Sequence, residues 1–302
     1  MKRLLLFLCA LLCACRPVPP AAEATPAPVI TEPPFHDAVI VSAPETEPAL
    51  TLPPSPTPVP SPTPSPTPSP TPVLITDEML ASGMFDAYFD DAVFVGDSLT
   101  WVFSHYVRNV RNAGQPDCLG HAQFLAAPSM NTRRAAENDV RSGGINFEYR
   151  GRAVSLTDGL KEIGAKKIFL LLGLNDLRVR DWNDVAAYFA TIIETVKTQC
   201  PDAQLIVQGV FPVRRTFYDR ESPAWNDFNG LLQTVCADAD VPFFDFSTVF
   251  RDENGELDRA YCEDGKCHLN IAGEEVWVRV LRQYAALQSQ PDVVFESPFP
   301  NS

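Results

Sequence analysis

Ser98 is the residue in this chain best placed for covalent chemistry. It stands in Gly96-Asp97-Ser98-Leu99, directly after the apolar run Ala92-Val93-Phe94-Val95 and before a segment with helical patterning, 100–112. A serine at such a strand-to-helix turn is exposed and lies over backbone N–H groups at a helix N-terminus. Those groups stabilise negative charge that develops on a substrate oxygen. The chemistry that suits it is nucleophilic attack on a carbonyl, which needs a base, an acid to orient the base, and further hydrogen-bond donors.

Candidates for each partner are present. Asn175 stands in Gly173-Leu174-Asn175-Asp176, after a second apolar run. Its side-chain amide can donate to an oxyanion without giving up a proton, although Asn-Asp after a strand can also serve only to cap a turn. Of the four histidines, His36 lies in a Pro-rich segment and His105 seven residues beyond Ser98 in the following helix. His121 opens a strand, which is the wrong end of a parallel sheet. His268 stands between the last expected strand and the last helix, in Glu263-Asp264-Gly265-Lys266-Cys267-His268-Leu269-Asn270. Asp264 can orient and charge-stabilise its ring provided the loop folds back. The plainer reading of this stretch is a surface turn with Asn270 as a helix cap.

The elements that must position these residues alternate. Strands are expected at 92–95, 122–127, 167–172, 204–211 and 241–246, and helices at 100–112, 156–163, 186–199, 226–237 and 271–287. A hairpin is expected at 147–155 and an amphipathic lead-in at 77–90. The helix 156–163 stops at Gly164. The run 167–172 is apolar on both faces, as a buried parallel strand is. Five strands alternating with helices imply an α/β fold: a three-layer, doubly wound, five-stranded parallel sheet. In the flavodoxin-like order 2-1-3-4-5 the switch point falls between strands one and three, so Ser98 and Asn175 face each other across the crevice.

The rest of the chain sets the context. Its 302 residues carry a formal charge of −14 without a basic stripe, which argues against nucleic acid as a partner and against direct docking to anionic lipid. Residues 1–15 read as a secretory leader, with Lys2 and Arg3 before the short apolar stretch 4–12. The leader ends Leu12-Cys13-Ala14-Cys15, which resembles a bacterial lipobox; this implies cleavage before Cys15 and lipid on its thiol. Residues 16–73 hold 20 of the 29 prolines and read as a polyproline-rich stalk, reaching on the order of 180 Å when extended. A folded domain is expected over 74–290, with 291–302 as a trailing tail. The localisation implied is extracytoplasmic, with membrane attachment only through the N-terminal lipid, and the domain is expected to be a monomer. Cys262 and Cys267 are close enough to form a disulfide, and Cys200 and Cys236 are a second pair. A zinc site competes for Cys262 and Cys267, but C-x₄-C lacks a second cysteine pair or clustered histidines.

Taken together, these motifs resemble the SGNH/GDSL hydrolase family over roughly 85–290. The matching stretches are Phe94-Val95-Gly96-Asp97-Ser98-Leu99, then Gly173-Leu174-Asn175-Asp176, then Asp264 with His268. The resemblance implies Ser98 as nucleophile, His268 as base and Asp264 as orienting acid. It also implies an oxyanion hole from the Ser98 N–H, the Asn175 amide beside Gly173, and a backbone N–H after strand two. There the family presents glycine and this chain has Ser129. A second departure is that three residues, not two, separate Asp264 from His268; Glu263 is the alternative acid. The activity implied is ester hydrolysis without metal or organic cofactor. The substrate expected is an acylated glycan or another ester, with Trp101, Phe217, Tyr218 and Trp225 available as a sugar platform or as core. O-acyl transfer, lysophospholipase or thioesterase activity, and a non-catalytic glycan-binding role are the alternatives.

Overall fold

The computed structural model describes residues 72–177, 181–217, 225–290 and 292–297. The leader, Cys15 and nearly all of the stalk lie outside the described residues. Strand β1 (Val73–Ile75) and helix α1 (Asp77–Ala81) open the domain, followed by a 3₁₀ turn at Asp86–Phe89. Then come β2 (Ala92–Gly96), α2 (Ser98–Asn112), β3 (Gln123–Ala126) and α3 (Thr132–Ala136). A hairpin of β4 (Phe147–Tyr149) and β5 (Arg152–Val154) precedes α4 (Leu156–Ile163). The remainder is β6 (Lys167–Leu171), α5 (Trp182–Gln199), β7 (Gln204–Gln208), α6 (Trp225–Asp238), β8 (Phe243–Phe244), α7 (Ile271–Ser289) and β9 (Val293–Phe295).

The central sheet runs β3-β2-β6-β7-β8, all parallel. This is the doubly wound 2-1-3-4-5 order, and β2 is buried along its whole length. Phe94 of β2 is in register with Phe124 of β3 and Phe169 of β6, and the rings stack at 5.4 and 5.0 Å. On that face Phe103 of α2 meets Phe94 edge-on and lies flat against Trp277 of α7 at 4.1 Å. Burying each such ring contributes about 1.5–3 kcal/mol, so this stack binds the helix that begins at Ser98 to the helix that follows His268. Helices α4, α5 and α6 pack together as a second layer. Among the described residues, no helix is long and apolar enough to cross a membrane.

Several boundaries differ from those read in the sequence. The apolar run 204–211 pairs as a strand only as far as Gln208; the Gly209 N–H makes a last bond to the Phe244 carbonyl at 2.9 Å, and the Val210 N–H bonds the Asn229 side chain instead, at 2.8 Å. The run 241–246 contributes only two paired residues. The lead-in forms two short helical pieces, tied to α7 by a buried bidentate pair. Arg282 donates from Nε and Nη2 to the two Asp86 oxygens at 2.8 and 2.6 Å.

The expectation of a trailing tail is corrected over its described residues, 292–297. β9 pairs in parallel with β1, Val73 opposite Val293 and Ile75 opposite Phe295. Ser297 accepts from Arg279 and Gln283 through its carbonyl and donates its hydroxyl to Asp77 at 2.7 Å. The reason is edge chemistry: β1 and β9 each present backbone donors and acceptors, and the two strands pair them with one another. Deleting 291–302 should therefore cost about 1–2 kcal/mol, seen in thermal unfolding as a fall of roughly 2–4 °C for each kcal/mol. An unchanged Tm would refute the clasp.

Candidate active site

The elbow between β2 and α2 is built from three residues. Gly96 ends the strand where a Cβ would stand 2.0 Å from Thr100 Oγ1 and 2.6 Å from the Leu171 carbonyl, so no larger residue fits. Asp97 is the N-cap of α2, and its side chain accepts from the Leu99 N–H at 3.0 Å. Ser98 follows as the first residue of the helix, so its own N–H has no intrahelical acceptor. Asp97 is fully buried, and that burial pushes its carboxyl up to about 7.

His268 reaches the elbow from the far end of the chain. Its Nε2 lies 3.0 Å from Ser98 Oγ, and its Nδ1 lies 2.7 Å from Asp264 Oδ2. The loop folds back as a hairpin: the Glu263 N–H bonds the His268 carbonyl, and the Asn270 N–H bonds that of Tyr261. Inside it, Asp264 Oδ1 accepts from the backbone N–H of Lys266, Cys267 and His268 at 2.8, 2.9 and 3.2 Å. This nest takes up the additional residue between acid and histidine, and Asp264 rather than Glu263 faces the ring. Partial burial opposes charge on Asp264, but the His268 ring and these three N–H groups outweigh it and hold the carboxyl at about 2. From outside, the Arg214 N–H bonds the Lys266 carbonyl at 2.7 Å and Thr216 Oγ1 donates to that of Gly265 at 2.6 Å. Asn270 closes the loop as the N-cap of α7.

The opposite wall comes from the ends of β3 and β6. Gly173 has φ +127°, and a Cβ there would stand 2.5 Å from the Phe228 ring, so it turns the chain out of the sheet toward Asn175. Asn175 Nδ2 donates to the Met130 carbonyl at 2.8 Å and stands 3.4 Å from Asp97 Oδ2, a long and weak contact. Asp176 accepts from the Thr132 N–H and hydroxyl, which pins the turn after β3 to the turn after β6. In that first turn Ser129 is exposed with φ +62°. Pro128 precedes it, and the Met130 N–H closes on the Ala127 carbonyl at 3.1 Å, the pattern of a type II turn. Ser129 thus holds the left-handed conformation that glycine adopts without steric cost.

The structure therefore brings Ser98, Asn175, Asp264 and His268 to one sheet edge with Ser129 and Gly173, an arrangement able to move a proton from the serine hydroxyl through a charge-backed imidazole. His105 and His121 are elsewhere: His105 bonds the Trp101 carbonyl and His121 pairs with Asp90. The expected disulfides are corrected, because Cys262 and Cys267 are free thiols, as are Cys200 and Cys236. Cys262, opposite Leu269, turns toward Asp264 Oδ1 at 3.8 Å, whereas Cys267 packs against His268 Nδ1 at 3.7 Å. The Asp264 nest bends the loop without a staple. Burial holds the Cys267 thiol up at about 12, so it is a neutral group beside the relay. Trp101 is 43 % exposed, one turn along α2 from Ser98, with its ring 4.0 Å from that of His105. Phe217 packs against the core; Tyr218 and the Trp225 side chain lie outside the described residues. Sequence reasoning missed the clamp from Arg214 and Thr216, because nothing in their spacing links them to a loop fifty residues on.

A profile of the GDSL-like Lipase/Acylhydrolase family matches residues 94–276, more than half of the chain. Among curated proteins, none matches in sequence. Similar solved structures include a candidate acylhydrolase from Bacteroides fragilis, with a TM-score of 0.51 and 13 % identity, covering 67 % of this chain and 88 % of that one. A GDSL-like lipase from Bacteroides thetaiotaomicron gives 0.50 and 12 %, covering 66 % and 89 %. An acetylxylan esterase from Geobacillus stearothermophilus, in a catalytic mutant form, gives 0.45 and 15 %, covering 67 % and 95 %. At these identities the likeness to the first two is one of fold.

Strain at Ser129 is measurable. Ser129→Gly should be neutral to about 1 kcal/mol stabilising, because relief of the left-handed backbone offsets glycine's greater unfolded-state entropy. Ser129→Val should destabilise by about 1–2 kcal/mol. Chemical denaturation of the two variants checks the order; a glycine variant less stable than the valine one would contradict it.

Proposed function

The chain belongs to the GDSL-like lipase/acylhydrolase family of ester-hydrolysing serine hydrolases, and from that membership we propose that it cleaves short acyl esters, O-acetyl groups on extracytoplasmic glycans foremost, through an acyl-enzyme on Ser98. The observation that carries this reading is the unbroken hydrogen-bonded line from Ser98 Oγ through His268 to Asp264. His268 Nε2 takes the hydroxyl proton as Ser98 Oγ attacks the carbonyl. The resulting oxyanion is held by the backbone N–H groups of Ser98 and Ser129 and by the Asn175 amide. His268 then returns the proton to the leaving alcohol, and water activated by the same nitrogen releases the acyl group. Asp264 keeps the Nδ1 proton in place and stabilises the imidazolium.

The substrate class rests on different features. An exposed indole one turn from Ser98 offers a flat face suited to a sugar ring. The leader, the lipobox ending in Cys15 and the polyproline stalk support a domain held outside the cytoplasm on a lipid anchor, within reach of surface polymers. The domain boundaries follow the same reading: leader 1–15, stalk 16–73, then the catalytic domain.

Hydrolysis of p-nitrophenyl acetate is expected for the wild-type chain. Ser98→Ala should lower kcat by at least about 10³-fold, and Asp264→Asn, which favours the wrong histidine tautomer, by roughly 10⁴-fold. With Asp264 held at about 2, no acid limb assignable to it should appear in the pH–rate profile above about pH 4. Equal rates in wild type and Ser98→Ala would end the serine-esterase reading, and product on an added sugar acceptor would favour transfer over hydrolysis. The mass of the mature N-terminus tests the anchor separately: a diacylglyceryl modification on Cys15 is expected, and an unmodified Cys15 would remove it.

A further inference from the structure

The loop that carries Asp264 and His268 also gathers sulfur. The Asp264 carboxylate, Cys267 Sγ and the His268 ring nitrogen offer one ligand atom each, all within 4.8 Å of one another. His268 Nδ1 lies 2.7 Å from Asp264 Oδ2 and 3.7 Å from Cys267 Sγ. A tetrahedral zinc ion with bonds of about 2.0–2.3 Å holds its ligands roughly 3.3–3.8 Å apart. The sulfur is therefore already at ligand spacing from the ring nitrogen; the carboxylate has to draw back from the ring by less than about 1 Å, and carboxylate and sulfur, within 4.8 Å of each other, have to close by about 1 Å. On the other side of the carboxylate, Cys262 Sγ stands 3.8 Å from Asp264 Oδ1. Neither cysteine is spent in a disulfide, and Cys267 is 3 % exposed, so its sulfur faces this cluster rather than solvent.

We propose that this loop binds a thiophilic divalent cation, zinc or cadmium, through His268 Nδ1, the Asp264 carboxylate and Cys267 Sγ, and that binding switches the hydrolytic relay off. Thiolate and imidazole select such ions over magnesium or calcium. The metal takes the Nδ1 lone pair, so the single proton of the neutral ring moves to Nε2. The Cys267 thiol gives its proton to solvent as the sulfur–metal bond forms. Nε2 then donates to Ser98 Oγ and has no lone pair left to accept the hydroxyl proton. Asp264, now a metal ligand, no longer orients the ring. The switching half rests on the serine-hydrolase reading above; the binding half does not.

The experiment uses the full chain, stripped with a chelator and kept reduced with a phosphine. Cadmium is added stepwise and the ultraviolet thiolate-to-metal charge-transfer band is followed in wild type, Ser98→Ala and Cys267→Ser, the last close to cysteine in size. One equivalent of band is expected to be missing in Cys267→Ser and retained in Ser98→Ala. In parallel, zinc should suppress p-nitrophenyl acetate turnover, a chelator should restore it, and magnesium should have no effect. Each variant is normalised to its own metal-free rate, and the half-inhibitory zinc concentration should rise at least ~10-fold in Cys267→Ser. Equal cadmium bands in wild type and Cys267→Ser, or equal zinc inhibition of both, would overturn the proposal. If no variant hydrolyses the ester, the hydrolase reading fails, while the cadmium titration still decides the site.

Discussion

A hydrogen bond of 3.0 Å joins Ser98 to His268 across 170 positions of sequence, and much of the structure stands behind one end of it or the other. On the serine side are the buried strand β2, the close fit at Gly96 and the Asp97 cap. On the histidine side are the Asp264 nest, the clamp from Arg214 and Thr216, and the Asn270 cap. The stacked pair Phe103 and Trp277 ties α2 to α7, so the two ends are referenced to each other through rigid helices. A parallel sheet suits this task because every strand delivers its C-terminal turn to the same edge.

That edge contains more buried acid than a packed interior ordinarily tolerates. Asp97 and Asp176 lie behind the site, and Glu274 is buried in the first turn of α7, where burial pushes it up to about 9. A carboxyl raised in the folded state favours folding below its unfolded pKa and loses that contribution as pH rises through the folded value. For Asp97, raised to about 7, the loss runs from the ordinary carboxylate range up to neutrality. Asp264 is shifted the other way, by donors that stabilise its charge, and so stays ionised where Asp97 takes up a proton. Two carboxylates a few ångströms from one serine thus do different work because one is dry and capped and the other is ringed with N–H groups.

How much of this could be read from the chain varied with the physics involved. Helix α4 was legible at its C-terminal end because Gly164 stops it, whereas Ser155, read as the end of the hairpin, turns out to be its N-cap. The parallel five-stranded sheet followed from alternation, and the facing of Ser98 and Asn175 followed from the switch-point rule once the flavodoxin-like order was taken. The strands after β6 were read too long, because apolar residues continue into buried extended chain that no longer pairs. The β1–β9 pair is three residues long, too short for any periodicity to register, and its partners lie at opposite ends of the sequence. The cysteines were misread for a simpler reason: closeness in sequence says nothing about which way two thiols point. Ser129 was legible as a position but not as a conformation, since its left-handed backbone is imposed by the turn around it.

The clasp of β1 with β9 has a topological consequence. Because the two strands run parallel and side by side, with Val73 opposite Val293 and Ile75 opposite Phe295, the first and last strand residues, 73 and 295, meet at one corner of the domain, about 8 Å apart. A short peptide could close that gap, and the chain could be opened in a surface loop elsewhere without disturbing the sheet. The order in which the site residues occur along the polypeptide is then incidental to the catalyst: a rearranged chain that starts beyond the β4–β5 hairpin and delivers Ser98 after His268 would place the same atoms at the same edge.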